Sequence, residues 1–384
     1  MSNAKKAYFG CDVFDGQTRH KKSALLINGE RVAGILSEED VPSEYTIVQL
    51  DGGLITPGFI DLQVNGGGGA MFNDEPSVEV LRTICEAHLP FGTTSLLPTL
   101  ITDTPEKTTE AINAIHTSME AGDGGVIGLH LEGPHLSLAR KGAHDPKLIR
   151  SMSEKDCSQL ILAAGSLSSL LLTVAPESVA MSQISDLTAA GAIVSLGHTD
   201  TDYSNARAAV KSGATCVTHL FNAMSQLGNR EPGVVGAALD AGQLFAGLIA
   251  DGFHVDPATI AVALRAKRKP GRIFLVTDAM STIGTEQTSF TLNGRHIRRE
   301  GGRLTLPDGT LAGADLDMIS AVRFMVQKVG LDVEEAIRMA TLYPAQVLNR
   351  ENEFGQLIEG SRADFLLLNT QLNVDAVWRA GSQI

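Results

Sequence analysis

The chain has 384 residues, room for one large domain with a smaller companion, and 44 acidic against 31 basic side chains give it a formal net charge of -13. So acidic a surface repels nucleic acid and anionic lipid, so neither partner is expected, and an anionic ligand has to be met by a local basic cluster. Four cysteines (Cys11, Cys85, Cys157, Cys216) without a C-x-x-C pair argue against a disulfide framework or a thiolate zinc site. With no apolar run of membrane-span length and no secretion signal, a cytoplasmic location is the default expectation.

The opening MSNA reads as an artificial leader and is set aside. Through residue 55, turn signals such as DG at 15–16 and NGE at 28–30 separate short β-rich runs. Eight apolar runs follow: GFIDLQVNG (58–66), TSLLPTLIT (94–102), VIGLHLEGP (126–134), SLLLTVAPE (169–177), AIVSLGHTD (192–200), ATCVTHLFN (214–222), FAGLIADGFHV (245–255) and RIFLVTDAM (272–280). Their starts lie 22 to 43 residues apart, enough for a strand, a helix and two loops each. Eight parallel strands with intervening helices close most economically into a TIM-like (β/α)8 barrel. An open doubly wound sheet competes, but no strand leads into G-x-G-x-x-G, and the GGGG at 66–69 reads as a flexible loop. Beyond the barrel, SFTLNGRHIRREGGRLTLPDG (289–309) reads as a β insertion and EEAIRMATLYPAQVL (334–348) as a helix. ADFLLLN and VDAVWRAGSQI look like strands. The expected organisation is therefore a barrel over 56–350 and a small β-sandwich domain built from residues 1–55 and 351–384.

Barrel chemistry sits at the carboxyl ends of the strands, where the polar residues of this chain fall. Glu132 ends an apolar strand as a bare carboxylate before Gly133-Pro134, and burying it calls for a cation opposite. Strand alternation predicts one inward face carrying His130 and Glu132 on strand three, Val194, Leu196 and His198 on strand five, Thr215, Val217 and His219 on strand six, and Phe274, Val276 and Asp278 on strand eight. Two imidazoles and a carboxylate with an open fourth position suit a catalytic zinc ion, so Glu132, His198 and His219 are the expected ligands of one divalent metal per subunit. Iron, cobalt and manganese accept the same donors. Asp278 is then the group that takes a proton from water and passes it to a leaving group.

A single histidine at a strand end is more often a hydrogen-bonded structural residue, and it is the convergence of four polar residues from four strands that favours a site. His130, one layer deeper, reads as a core histidine or as one that supports the ligands from behind. Asp61, Gln63 and Asn65 are the inward positions of strand one, and the two amides are poor transition-metal ligands, which argues against a second ion. Arg230 in NREPG and His254 in DGFHVD could meet a phosphate. The competing reading of Arg230 is a solvated ion pair with Glu231. His144 in RKGAH could donate to an oxyanion or be a plain surface histidine.

PGFIDLQVNG, PTLIT, GLHLEGP, LGHTD, THLFNAM, REPGVVGA, ADGFHVD, LVTDAM, ATLYPA and the ADFLLLN tail together resemble the N-acetylglucosamine-6-phosphate deacetylases of the amidohydrolase superfamily. The resemblance covers nearly the whole chain and implies hydrolysis of N-acetyl-D-glucosamine 6-phosphate to D-glucosamine 6-phosphate and acetate. An enzyme for the galactosamine epimer would look similar. It implies Glu132, His198 and His219 as metal positions, Asp278 as catalytic acid and base, and His144 as the substrate-polarising histidine. Asn222, Ala223, Arg230 and His254 would contact the sugar phosphate, with Gln63 and Asn65 beside the substrate. Many amidohydrolases carry H-x-H on strand one and bind two metals, where this chain has Gln63 and Asn65. LAGADLDM (311–318) departs from a family loop that often reads LAGS. The resemblance also implies a homodimer in which Arg230 reaches the neighbouring subunit's site. Competing readings are another amide hydrolase, a metal-free sugar-phosphate isomerase or aldolase, and a sugar-phosphate sensor without turnover.

Overall fold

The computed structural model describes residues 4–122 and 124–384, so the first three residues of MSNA, expected to be a leader, lie outside the described residues. Eight parallel strands follow one another in chain order around a single sheet: β1 (Phe59–Val64), β2 (Thr93–Ile101), β3 (Leu129–Glu132), β4 (Leu170–Val174), β5 (Ile193–Leu196), β6 (Cys216–Val217), β7 (Phe245–Leu248) and β8 (Ile273–Leu275). The sheet closes through a parallel bridge between Val64 and Ala279 and an Asp278 N–H bond to the Gln63 carbonyl of 3.0 Å. The (β/α)8 barrel expected from the apolar runs is thus the architecture found. Both faces of these strands are buried, which is why they read as continuous apolar runs rather than alternating ones.

The outer helices start at short polar caps that the sequence supplies in register. Ser77, Thr104, Asp202, Asp256 and Asp317 each accept a backbone N–H of the first turn, and Ser153 with Asp156 forms a capping box. Pro105 and Pro257 follow their caps in first-turn positions, where a missing N–H costs nothing.

The terminal segments build two sheets. One runs Arg31–Ser37, Ser23–Asn28, Lys5–Phe9, Thr46–Gln49. The other runs Ser382–Gln383, Val374–Arg379, Phe365–Leu368, Leu54–Pro57, Asp12–Phe14, Arg19–His20, so strands from both ends of the chain pair directly. Tyr8 and Leu25 of the first sheet pack with Ile55, Phe365 and Trp378 of the second in one apolar cluster, the small β-sandwich expected. Its strand Leu54–Pro57 spans the boundary drawn at 55/56.

Three local expectations are corrected. The helix expected over 334–348 breaks at Thr341 into Val333–Ala340 and Leu342–Val347, because Pro344 has no N–H and its ring crowds the carbonyl four residues back, on Ala340. The GGGG segment is a small ordered hairpin, Gly66–Gly67 against Ala70–Met71. A Cβ on Gly66 would lie 2.4 Å from the Ala70 carbonyl, so glycine there serves close packing. The third correction concerns the inward faces of strands five and six and belongs to the site below. The β insertion is found as a three-stranded antiparallel sheet, Ser289–Leu292, Arg295–Glu300 and Arg303–Thr305, turned by Asn293-Gly294 at φ 50° and 72°.

Candidate metal and catalytic site

Below the barrel mouth lies a belt of buried hydroxyls. Thr99 Oγ1 meets His130 Nδ1 at 3.0 Å, His130 Nε2 meets Thr173 Oγ1 at 2.8 Å, and Thr218 Oγ1 meets both Thr173 and Ser195 at 2.6 Å. His130 is therefore a hydrogen-bonded core residue. The belt also corrects the alternation argument. Thr173 is the ladder neighbour of both Glu132 and Ser195, so on strands five and six it is Ser195 and Thr218 that share the Glu132 face, not Val194, Leu196, Thr215 and Val217. His198 and His219 nevertheless reach that face, because each sits just past its strand in the left-handed region, at φ 46° and 28°. Asp278 does the same at φ 53°. Histidine and aspartate are among the residues that tolerate this conformation, and such departures concentrate at functional sites.

Glu132 Oε1 lies 3.0 Å from His219 Nε2 and 3.4 Å from His198 Nε2, and the two imidazole nitrogens are 3.1 Å apart. Tetrahedral coordination with bonds of about 2.0–2.1 Å places neighbouring ligand atoms about 3.3 Å apart, so the triangle has the dimensions of three donors around one ion. The donor chemistry fits as well. His198 Nδ1 donates to the Arg140 carbonyl at 2.8 Å, which turns its Nε2 lone pair toward His219 Nε2, a juxtaposition that a shared cation relieves. Burial opposes a charge on Glu132, yet its two imidazole partners hold its carboxyl well below the usual range.

Asp278 stands beside this triangle. Its Oδ1 accepts the side-chain N–H groups of Gln63 at 3.1 Å and Asn65 at 2.7 Å, and Gln63 also donates to Glu132 Oε1 at 3.1 Å. Both amides thus turn their amino ends to carboxylates, and strand one in this way holds Asp278 in place. Burial and repulsion from Glu132 push the Asp278 carboxyl up to about 6. That range suits a group that exchanges protons near neutrality. Asp61, one layer down, accepts the Thr277 hydroxyl at 2.5 Å and is raised to about 7, chiefly by burial.

His144 is buried, with its ring centroid 4.3 Å from that of His198. Its Nδ1 accepts the Thr102 N–H at 3.3 Å and, in the same tautomer, the Thr102 hydroxyl at 2.7 Å, which puts the proton of the neutral ring on Nε2. Burial, then His198, holds this imidazole well below its ordinary value, leaving a neutral donor. Neither Thr102 nor the Arg140 carbonyl was singled out from sequence. Thr102 is the polar residue that ends the TSLLPTLIT run, a signal that could have found it, whereas a backbone carbonyl carries no residue signature.

These groups open into a cavity of about 370 Å³, lined also by Asn222, Ala223 and His254. His254 Nδ1 meets Asp251 Oδ2 at 2.6 Å, leaving Nε2 for a ligand. Asn222 donates to the His219 and Leu220 carbonyls at 3.3 Å. Ala223 adopts φ 50°. Arg230 is not brought to this cavity within one chain and is exposed. Its expected surface pairing is also absent among the described residues: Glu231 instead accepts the Tyr203 and Gly233 N–H groups at 2.8 and 2.9 Å.

A closed parallel barrel with an acid and two imidazoles clustered at its carboxyl mouth, beside a further buried carboxylate, has the build of a barrel hydrolase of the metal-dependent class. The Amidohydrolase family model matches residues 54–384, and the chain belongs to that family. The family implies a divalent metal, and Glu132, His198 and His219 form a cluster able to hold one. The chain is 44% identical to the N-acetylgalactosamine-6-phosphate deacetylase of Shewanella sp. (strain ANA-3), covering 93% of this chain and 90% of that one. It is 35% identical to the N-acetylglucosamine-6-phosphate deacetylase of Haemophilus influenzae, covering 96% and 97%. The crystal structure of N-acetylglucosamine-6-phosphate deacetylase from Pasteurella multocida superposes with a TM-score of 0.95 at 35% identity, over 99% of each chain. Among the described residues no helix is long and apolar enough to cross a membrane.

Proposed function

We propose that this protein hydrolyses the acetamide of N-acetylglucosamine 6-phosphate, releasing glucosamine 6-phosphate and acetate, with one zinc ion per subunit on Glu132, His198 and His219. When bound, such an ion supplies Lewis acidity and makes a proton of water easier to remove. The chain's own residues divide the remaining work. With Oδ1 of Asp278 occupied by Gln63 and Asn65, Oδ2 is the oxygen that takes the proton from the attacking water and later gives it to the departing sugar amine. His144 Nε2–H donates to the amide oxygen as negative charge develops there. His254 and the Asn222–Ala223 segment receive the phosphate end of the sugar. Arg230, exposed in the loop that also exposes Leu227, completes the phosphate contacts in the second subunit of a homodimer. Four buried free thiols support a reducing, cytoplasmic setting.

The observation that carries this reading is the placement of three kinds of group around one cavity: the Glu132–His198–His219 triangle, a neutral N–H donor on His144 and a free carboxylate oxygen on Asp278. A second reading, the galactosamine epimer as substrate, is favoured by the 44% identity to the Shewanella enzyme. Acetate release from the two N-acetylhexosamine 6-phosphates separates them. A higher kcat/KM for the glucosamine compound is expected, and the reverse order selects the second reading. Release from neither removes the proposal.

A further inference from the structure

Part of the cavity wall is apolar. Ile101 and Met280 both line it, are 4% and 3% exposed, and belong to one apolar cluster against which Ala143 packs. Each is tied by the chain to a reacting group. Thr102, next to Ile101, fixes the His144 ring; Ala143 precedes His144; Met280 lies two residues beyond Asp278. Gly313, at φ 66°, lets the Met280 side chain settle where it does: a Cβ there would stand 2.6 Å from Met280 Cε and 3.0 Å from the Asp278 carbonyl.

On the reading above, the reacting carbonyl carbon carries three substituents. The oxygen faces His144, and the nitrogen faces Asp278 with the sugar behind it, so the acyl group is left with the wall that neighbours both. We infer that Ile101 and Met280 form the acyl-recognition wall and limit the enzyme to the acetyl group, with Met280, seated on Gly313, as the size-determining residue. Because both side chains are packed within their cluster, they cannot retreat to admit a longer chain without opening a void elsewhere.

The test compares amine release from N-acetyl-, N-propionyl- and N-butyryl-glucosamine 6-phosphate. One methylene in an apolar pocket is worth about 10–200-fold in specificity, so the wild type is expected to favour acetyl over propionyl by about that factor. Met280→Ala should shrink the ratio to about threefold or less, and Ile101→Ala should shrink it partially. Because Met280→Ala could lose stability, kcat/KM is normalised to folded protein from thermal unfolding, and Ile101→Ala gives an independent reading. An unchanged acetyl-to-propionyl ratio in both variants overturns the wall while leaving the deacetylation intact. So does a wild type that accepts all three equally. Absence of release from every compound removes the reaction itself, and the wall with it.

Discussion

The barrel mouth and the terminal sandwich are both densely buried, yet they are built by opposite rules. In the sandwich the strands pair around an aromatic core, with one register shift in each sheet, Phe365 and Trp378 stacked at 4.6 Å and Tyr8 edge-on to both at 5.0 and 5.3 Å. At the mouth, His198, His219, Phe221, Ala223 and Asp278 all leave the extended region for positive φ. Buried carboxylates and imidazoles are crowded together there, with Glu132 and Asp278 sharing the Gln63 amino group. One region is shaped for stability and the other keeps strain and desolvated charge that regular packing would remove.

The largest separation of the two is expected from Asp278→Asn. The amide oxygen still accepts the Gln63 and Asn65 bonds, so the fold tolerates it, but it cannot take a proton. Turnover should fall by about 10²–10⁴-fold with no loss of melting temperature. Amine-release kinetics beside thermal unfolding check this, and a stability loss matching the activity loss would erase the contrast. The mirror experiment is Trp378→Ala, which should cost about 3–5 kcal/mol in denaturant unfolding while kcat per folded molecule stays at the wild-type value. Reduced kcat at undiminished stability would show that the sandwich serves the site directly.

Smaller effects sharpen the boundary between the regions. Arg230→Ala should raise KM for the phosphorylated substrate about 10–100-fold, and leave its unphosphorylated analogue nearly unaffected, because a charge-assisted bond to phosphate is lost. Equal losses for both compounds would take Arg230 out of phosphate binding. His88, buried outside the cavity against the Gly66 carbonyl at 2.9 Å, is held down to about 4 by burial, from an ordinary 6.5. Between those two values the ring is charged in the unfolded chain and neutral in the folded one. The stability it contributes is therefore complete above pH 6.5 and lost as pH falls toward 4, at up to about 1.4 kcal/mol per pH unit. His88→Gln, which keeps a donor for Gly66, should flatten that slope in urea unfolding; an unaltered slope would assign the acid sensitivity elsewhere.

Much of this was legible in the residues. The eight barrel strands stood out because burial on both faces leaves nearly unbroken apolar runs, and Glu132, His198, His219 and Asp278 stood out as polar residues ending them. His198 and His219 do meet Glu132, but through a register that strand alternation does not give, since strict period two cannot foresee a backbone that turns left-handed just past its strand. Ser195 and Thr218, not Val194, Leu196, Thr215 and Val217, follow the period set by Glu132 and Thr173. Contacts made by the main chain were invisible: the Arg140 carbonyl that orients His198 and the Thr102 N–H that orients His144 would be the same atoms on any residue but proline in the donor's case. The pairing of Leu54–Pro57 with Phe365–Leu368 spans some three hundred positions and follows from no local pattern.

The most direct test of the central claim is acetate release from N-acetylglucosamine 6-phosphate by protein stripped of metal with a chelator and titrated with zinc. Activity absent from the stripped protein and restored in full at one equivalent per chain, in the wild type but not in His198→Ala, is the result this account requires. Undiminished release by the stripped protein would contradict it.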